Sequence, residues 1–147
     1  MSMSRTNSRF TITLPDGWED QTVHTYMGPD DSGVKHILTV TVSPKVETGD
    51  VSEFARERID MAVNGMQGAT ILKDEPVELA DGRGAHECII KWIPTDGNVI
   101  FRKMVFLLQD GKGYSFAANF SKKTIKTIGT EVGQMILSLR PEDGTGA

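Results

Sequence analysis

Hydrophobic and polar residues alternate along several stretches of the chain, which is the period of a β-strand with one buried face. The first of these stretches, Arg9 to Leu14, ends at Pro15, and the Pro-Asp-Gly sequence that begins there has the composition of a turn. Trp18 follows directly, beside two carboxylates. We therefore predict a first strand, a turn, and a large ring that closes the end of the core.

The same criteria predict the remaining elements. A helix over 51–65 has Asp50 as its N-cap and Glu53 at the position that completes a capping box. A last helix carries an apolar stripe from Ile125 to Leu139 and follows Ser121 as its cap. A loop rich in Gly, Pro and Asp occupies 28–33. Further strands are predicted over 21–27, 34–42, 70–77, 84–94, 99–108 and 114–120.

The last three strands are joined by connections that each contain Asp-Gly, the strongest short-range signal for a β-hairpin. They should form an antiparallel meander. The element order is then β-β-β-α-β-β-β-β-α, which predicts an α+β fold with an antiparallel sheet of six to seven strands and two helices. We expect a disordered tail over residues 1–8, one domain over 9–141 and a flexible tail over 142–147.

One predicted strand, 99–108, is apolar on both of its faces. Val99, Phe101, Val105 and Leu107 alternate with a second apolar set, and a strand of this kind is covered on both sides. That second set consists of Ile100, Met104, Phe106 and Leu108. If both helices lay on one face of the sheet, a second protomer or an apolar ligand would have to cover the other. One helix on each face would need no such partner, and the pattern alone leaves both arrangements open.

Composition narrows the class of protein. The chain has 147 residues, 38% of them hydrophobic, a formal charge of −4 and a pI near 5.3. The acidic balance argues against a nucleic-acid partner, which requires clustered basic residues. The N-terminus has no apolar signal-peptide region, and no apolar run is long enough to span a bilayer, so we expect a cytoplasmic protein without stable membrane insertion. The single cysteine, Cys88, fits a reducing compartment.

The sequence offers little catalytic chemistry. His86 and Cys88 lie two residues apart on one face of a strand, which is too small a set for zinc and more typical of core residues. The chain lacks G-x-S-x-G and a phosphate-binding glycine motif, so we expect neither an enzyme nor a cofactor. Arg102 and Lys103 interrupt an apolar strand. Either one of them reaches past the sheet edge to solvent, or they are polar anchors in an apolar groove.

The opening sequence F-T-I-T-L-P-D-G-W-E-D-Q-T-V resembles the signature of the DcrB-related family. The similarity continues through S-E-F-A-R-E-R, the hairpin K-W-I-P-T-D-G-N-V-I-F-R, and the last helix, which ends in S-L-R-P. The resemblance covers nearly the whole chain and implies a PsbP-like fold. The absence of a leader makes the chain most similar to the cytosolic Eag-type chaperones within that family.

This resemblance implies a non-enzymatic chaperone or adaptor. Eag-type chaperones are homodimers that shield the apolar N-terminal helices of type VI secretion effectors. The candidate binding residues that follow from it and from the two-faced strand are Val23, Thr25, Arg58, Ile100, Arg102, Lys103 and Met104. The alternative is a PsbP-like binding or scaffold domain of undefined role with a soluble protein partner. An enzyme is a third class, which only a closed polar pocket with converging titratable groups would favour.

Overall fold

A computed structural model describes residues 12–18, 23–31, 34–43, 45–66, 68–93 and 97–139. Within these ranges six strands form one antiparallel sheet in the spatial order β1-β2-β6-β5-β4-β3. The predicted α+β class and the meander of the last three strands are confirmed. The elements are β1 (Val23–Asp31), β2 (Val34–Ser43), α1 (Val51–Asn64), β3 (Thr70–Glu78), β4 (Gly84–Trp92), β5 (Ile100–Gln109), β6 (Lys112–Phe120) and α2 (Ile128–Leu137).

The two helices lie on opposite faces of the sheet. We call the face that carries Met104 and Phe106 face A and the face that carries Val105 and Leu107 face B. Face A packs against α1 and face B packs against α2, each with its own hydrophobic cluster. The two apolar faces of β5 are therefore buried by the chain's own helices. Of the two arrangements that the sequence left open, one helix on each face is the correct one.

Helix α1 is held by a cap and by an aromatic contact. Asp50 is the N-cap, and its carboxylate accepts a hydrogen bond from the backbone N–H of Ser52, 2.9 Å away. The predicted capping box does not form, because Glu53 instead accepts a hydrogen bond from the Thr48 hydroxyl. Phe54 is buried on face A, edge-on to Phe106.

Helix α2 begins later than predicted. Residues 122–127 form turns, and Thr127 rather than Ser121 is the N-cap. Ser121 and Thr124 bond to each other, and the Thr124 hydroxyl lies 2.9 Å from Nε2 of buried His36, so side-chain contacts compete with helix geometry here. At the other end, Arg83 donates to the backbone carbonyls of residues 136, 137 and 139. A cation at a helix C-terminus is stabilising.

Strand β1 continues through a segment that the sequence predicted to be a loop. The register with β2 shifts between Met27 and Asp30, which is a bulge. Pro29 falls within this register shift on an edge strand, and bulges and edge strands are the places in a sheet where proline is tolerated. In contrast, the predicted turn between β5 and β6 is confirmed, with positive φ at both Asp110 (54°) and Gly111 (76°), as a two-residue hairpin of this kind requires.

The predicted first strand and the role of Trp18 are wrong for the part that the structure describes. Residues 12–15 are not in a strand, and Ile12 and Leu14 are exposed. Trp18 is 71% exposed and does not close the core. The rest of that prediction, residues 9–11, lies outside the described ranges. The alternating pattern predicts a half-buried strand, but burial requires a packing partner, and no described element buries these side chains.

Candidate binding surface on one face of the sheet

Part of face A is accessible, because α1 packs mainly on β4 and β5. Burial alternates along β2 and β6: Leu38, Val40 and Phe116 on face B are buried, whereas their neighbours on face A are only partly so. No element among the described residues covers face A at β1 and β2. We call this region the open face; its residues are Val23, Thr25, Met27, Ile37, Thr39, Thr41, Ser43, Ser115, Ala117, Asn119, Ile100 and Arg102.

The open face combines apolar side chains with hydroxyls. Val23 and Met27, on edge strand β1, are 52% and 67% exposed. Behind them Thr39 and Thr41 on β2 present hydroxyls next to aliphatic methyl groups. The Ser115 hydroxyl oxygen is buried and has no hydrogen-bond partner within the described part of the chain. The Thr39 hydroxyl donates to the Ala117 carbonyl at 3.4 Å, so the hydroxyls that a ligand can reach are those of Thr25 and Thr41. The surface can therefore exclude water from an apolar ligand and still offer hydrogen bonds.

Arg58 of α1 stands at the border between the covered and open parts of face A. Its guanidinium lies 3.9 Å from the centre of the Phe54 ring, and Nη2 donates to the Ser43 hydroxyl at 3.0 Å. A second nitrogen, Nη1, donates to the backbone carbonyl of Phe54. These contacts fix the side chain across the gap between α1 and β2. Arg58 therefore forms part of the wall of the open face.

Arg102 lies at the opposite end of the open face, near the start of β5. Its Nε donates to Oδ1 of Asn119, 3.0 Å away on β6. Burial lowers the pKa of the Arg102 guanidinium from its usual value. Among the described residues no carboxylate lies within 4.0 Å of it.

The structure brings together five of the seven candidate binding residues. Val23, Thr25, Ile100 and Arg102 lie on the open face, and Arg58 lies at its border. Met104 is on face A but is buried beneath α1, so it belongs to the core and not to the surface.

Lys103 is not part of the open face. It points to face B, where its ammonium group lies 3.4 Å from Glu87. The physical reason is the period of a strand: adjacent side chains point to opposite faces, so Arg102 and Lys103 cannot share one groove. Pairing them as candidates overlooked that alternation.

The hydroxyl residues of the open face were missed from the sequence. The signal was present in Thr39 and Thr41, which alternate with Leu38, Val40 and Val42 in a run of β-branched residues. Such alternation predicts one face of lower polarity and one of higher polarity. It does not say that the more polar face is uncovered, which depends on where α1 docks.

A hydrogen-bonded network outside the open face was also missed. Ser52 Oγ lies 3.0 Å from His86 Nδ1, and His86 Nε2 lies 2.5 Å from Asp74 Oδ1. Arg56 completes the network by donating to the other oxygen of Asp74. A Ser-His-Asp order also occurs in hydrolases. Here His86 is buried, and two partners hold Asp74, so the network fastens α1 to β3 and β4.

The structure gives Cys88 no sign of reactivity. Burial raises the pKa of its thiol to about 11, so the thiolate is scarce at neutral pH. The described residues contain no group of three or more His, Cys, Asp or Glu side chains placed to hold a metal ion. His86, the other half of the histidine–cysteine pair, is engaged by Ser52 and Asp74.

The ion pairs of Glu87 predict a pH-dependent stability. Burial raises the pKa of Glu87, but Lys73 at 2.5 Å and Lys103 at 3.4 Å more than reverse this, so the pKa is lowered. A lowered pKa stabilises the fold above the unfolded-state value, and this contribution is lost as pH falls through the folded-state value. We expect Glu87→Gln to lower the free energy of unfolding by about 1 kcal/mol at pH 7.

That difference should begin to shrink below the unfolded-state pKa of a glutamate, about 4.3, and it should be lost once the pH has fallen through the lower folded-state pKa of Glu87. Urea unfolding at a series of pH values measures it. Glu78→Gln is the matched control, because Glu78 is exposed on β3 and has no ion pair among the described residues. A Glu87→Gln difference that stays constant down to about pH 3 would contradict the assignment.

No helix in the described part of the chain combines the length and apolar character needed to cross a membrane. A search of curated proteins gives no match. Among solved structures, the chain is similar to a protein of unknown function from Pseudomonas aeruginosa, described as a putative regulator. That similarity has a TM-score of 0.68 and 14% identity, and it covers 88% of this chain and 90% of the other. At this identity, it shows a shared fold alone.

The family comparison covers most of the chain. The model of the DcrB family matches residues 10–136, a range that includes all six strands and nearly all of α2. This match agrees with the resemblance found in the opening F-T-I-T-L-P-D-G-W-E-D segment and in the later motifs. The chain therefore belongs to the DcrB family.

Proposed function

We propose that this protein is a non-enzymatic chaperone or adaptor of the cytoplasm that shields an apolar, transmembrane-like segment of a type VI secretion effector. The observation that carries the proposal is the open face, where apolar side chains on β1 are exposed beside a row of hydroxyls. Covering that surface with an apolar segment removes it from water on both partners, which is favourable. The resemblance to Eag-type chaperones supplies the client class.

The dimensions of the open face suit one α-helix. Neighbouring strands lie about 4.8 Å apart, so the three strands β1, β2 and β6 span about 10 Å between their outer axes. A helix with its side chains is about 10–12 Å across. At about 3.3 Å per residue, the ten residues of β2 extend over about 33 Å. The surface is therefore long enough for several helical turns.

A single open face contacts only one side of such a helix. An apolar helix needs cover all round to stay out of water. Two protomers whose open faces turn toward each other would enclose it, which gives a physical reason for the homodimer that the resemblance implies. The client would then be bound between two copies of the chain.

A designed 20-residue peptide of Leu and Ala with a fluorescent label tests the binding surface. We expect Thr39→Glu, which puts a charge in the middle of the open face, to weaken peptide binding at least about tenfold, because the carboxylate would be buried. Fluorescence anisotropy measures the affinity. Thr70→Glu is the matched control, because Thr70 is an exposed strand residue away from the open face.

Equal peptide affinity of Thr39→Glu and wild type, at equal stability, would contradict the proposed surface. The client class is tested by co-expression with the apolar N-terminal region of a type VI effector. We expect that region to stay in the soluble fraction only when the chaperone is present. The alternative, a PsbP-like scaffold domain with a soluble protein partner, would be favoured if neither the peptide nor the effector region binds.

A further inference from the structure

Arg102 differs from the other arginines that the structure describes. Arg56 and Arg83 each pair with an aspartate, and Arg58 lies 4.0 Å from Glu57 and also rests on an aromatic ring. Arg102 is partly buried on the open face and has no carboxylate within 4.0 Å among the described residues. Its charge is therefore partly removed from water without a charged partner, while its terminal nitrogens stay accessible to a ligand.

The geometry of this side chain favours a particular kind of ligand. The hydrogen bond from Nε to Asn119 fixes the plane of the guanidinium and leaves the two terminal nitrogens without a described acceptor. Two parallel N–H groups of an arginine match the two oxygens of a carboxylate. A buried cation is costly unless it is paired, and a carboxylate compensates a full charge, whereas a carbonyl offers only a partial one.

We propose that the client helix carries an aspartate or glutamate that pairs with Arg102. This inference rests on the proposed function and deepens it by naming the chemistry of the client. It also places the carboxylate near one end of the bound helix. The two arginines lie at different positions along β6. Arg58 is bonded to Ser43, which is opposite Gly113. Arg102 is opposite Asn119, six residues further along the same strand.

That separation is about 20 Å along the sheet, which corresponds to about 13 residues of helix. Arg58 is already satisfied by the Ser43 hydroxyl, the carbonyl of Phe54 and the ring of Phe54. The two ends of the open face are thus chemically different: one has an engaged arginine and the other an unpaired one. On one open face, a client with a single carboxylate would bind in one orientation.

The test uses a series of labelled 20-residue Leu/Ala peptides with one Glu at four successive positions near one end, each with a Gln twin. The position series covers one helical turn, so that one peptide directs its carboxylate toward Arg102. For wild-type protein we expect the best Glu peptide to bind about tenfold more tightly than its Gln twin. Arg102→Gln should abolish that preference.

Lys103→Gln is the matched control. It removes the same charge from the next residue, on the opposite face of β5, and should keep the preference for Glu. Arg102→Gln should be at least as stable as wild type in urea unfolding, because it removes a desolvated charge. Any loss of the Glu preference then reports binding and not unfolding.

Equal binding of Glu and Gln peptides to wild type at all four positions would overturn the inference and leave the proposed function standing. A Glu preference that persists in Arg102→Gln would also overturn it. A third result would also overturn it: peptide affinity that depends on the free carbonyls at the C-terminal end of the peptide helix and not on the Glu side chain. In that case Arg102 would bind backbone carbonyls and not a carboxylate. Failure of every peptide to bind wild type would overturn the inference and the proposed function together.

Discussion

Replacing Gly113 by alanine is expected to lower the free energy of unfolding by about 2–4 kcal/mol. Gly113 lies on face A of β6, directly beneath the ring of Phe54. A Cβ at this position would overlap Cζ and Cε1 of that ring and lie 3.0 Å from Cε2. Because the ring is buried and edge-on to Phe106, it cannot move aside without leaving its place in the core.

The same substitution should also alter the open face. Arg58 forms part of the wall of the open face, and its guanidinium rests on the Phe54 ring at 3.9 Å. If the ring is displaced, Arg58 loses this contact. We expect Gly113→Ala to weaken binding of the apolar peptide even under conditions in which the protein stays folded. The control for intrinsic propensity is Gly133→Ala in α2, where a Cβ would meet nothing within 4 Å.

Gly133→Ala should raise the free energy of unfolding by about 0.5–1 kcal/mol, because alanine favours the helix. The two alanine substitutions thus have opposite expected signs. Urea unfolding followed by circular dichroism measures both. A Gly113→Ala protein within about 0.5 kcal/mol of wild type would show that Phe54 is not packed as described.

Replacing Phe120 by alanine is expected to lower the free energy of unfolding by about 3–5 kcal/mol. Phe120 is fully buried on face B, with its ring centre 6.0 Å from that of His36, and it belongs to the hydrophobic cluster that includes Val132 and Ile136 of α2. In contrast, Trp18→Ala should change the stability by less than about 0.5 kcal/mol, because an exposed ring has little packing to lose.

This pair of variants tests which aromatic ring is a core residue. The sequence predicts that the ring of Trp18 closes the core, whereas the structure buries the ring of Phe120. Unfolding should be followed by circular dichroism and not by tryptophan fluorescence. The Trp18→Ala variant keeps only Trp92 as a tryptophan fluorophore, so its fluorescence signal is not comparable with that of wild type. A loss of more than about 2 kcal/mol in Trp18→Ala would restore the interpretation that its ring closes the core. A small effect of Phe120→Ala would contradict the packing of α2 on face B.

Arg102 and Lys103 show how far the candidate site could be predicted. The sequence correctly marked both as exceptions in an apolar strand. Their separation onto two faces follows from the period of the strand, yet which face is open depends on the position of α1. Met104 illustrates the same limit: it shares a face with Arg102, but α1 covers one and not the other.

The features that depend on local physics could be predicted from the sequence alone. The Asp110-Gly111 turn needs positive φ at both residues, Asp50 can cap α1 because its carboxylate reaches Ser52 N–H, and alternation assigns Leu38 and Thr39 to different faces. These choices involve neighbours along the chain. They were correct because the relevant interactions lie within a few residues.

Which surfaces are covered follows from how the helices dock on the sheet and could not be predicted from the sequence. Both faces of β5 are apolar, and that pattern fits one helix on each face as well as a helix pair on one. The docking of α1 over β4 and β5 leaves the β1–β2 side of face A open. It also leaves Arg102, near the start of β5, only partly buried and bonded to Asn119. Docking depends on contacts between residues far apart in sequence, which local patterns do not encode.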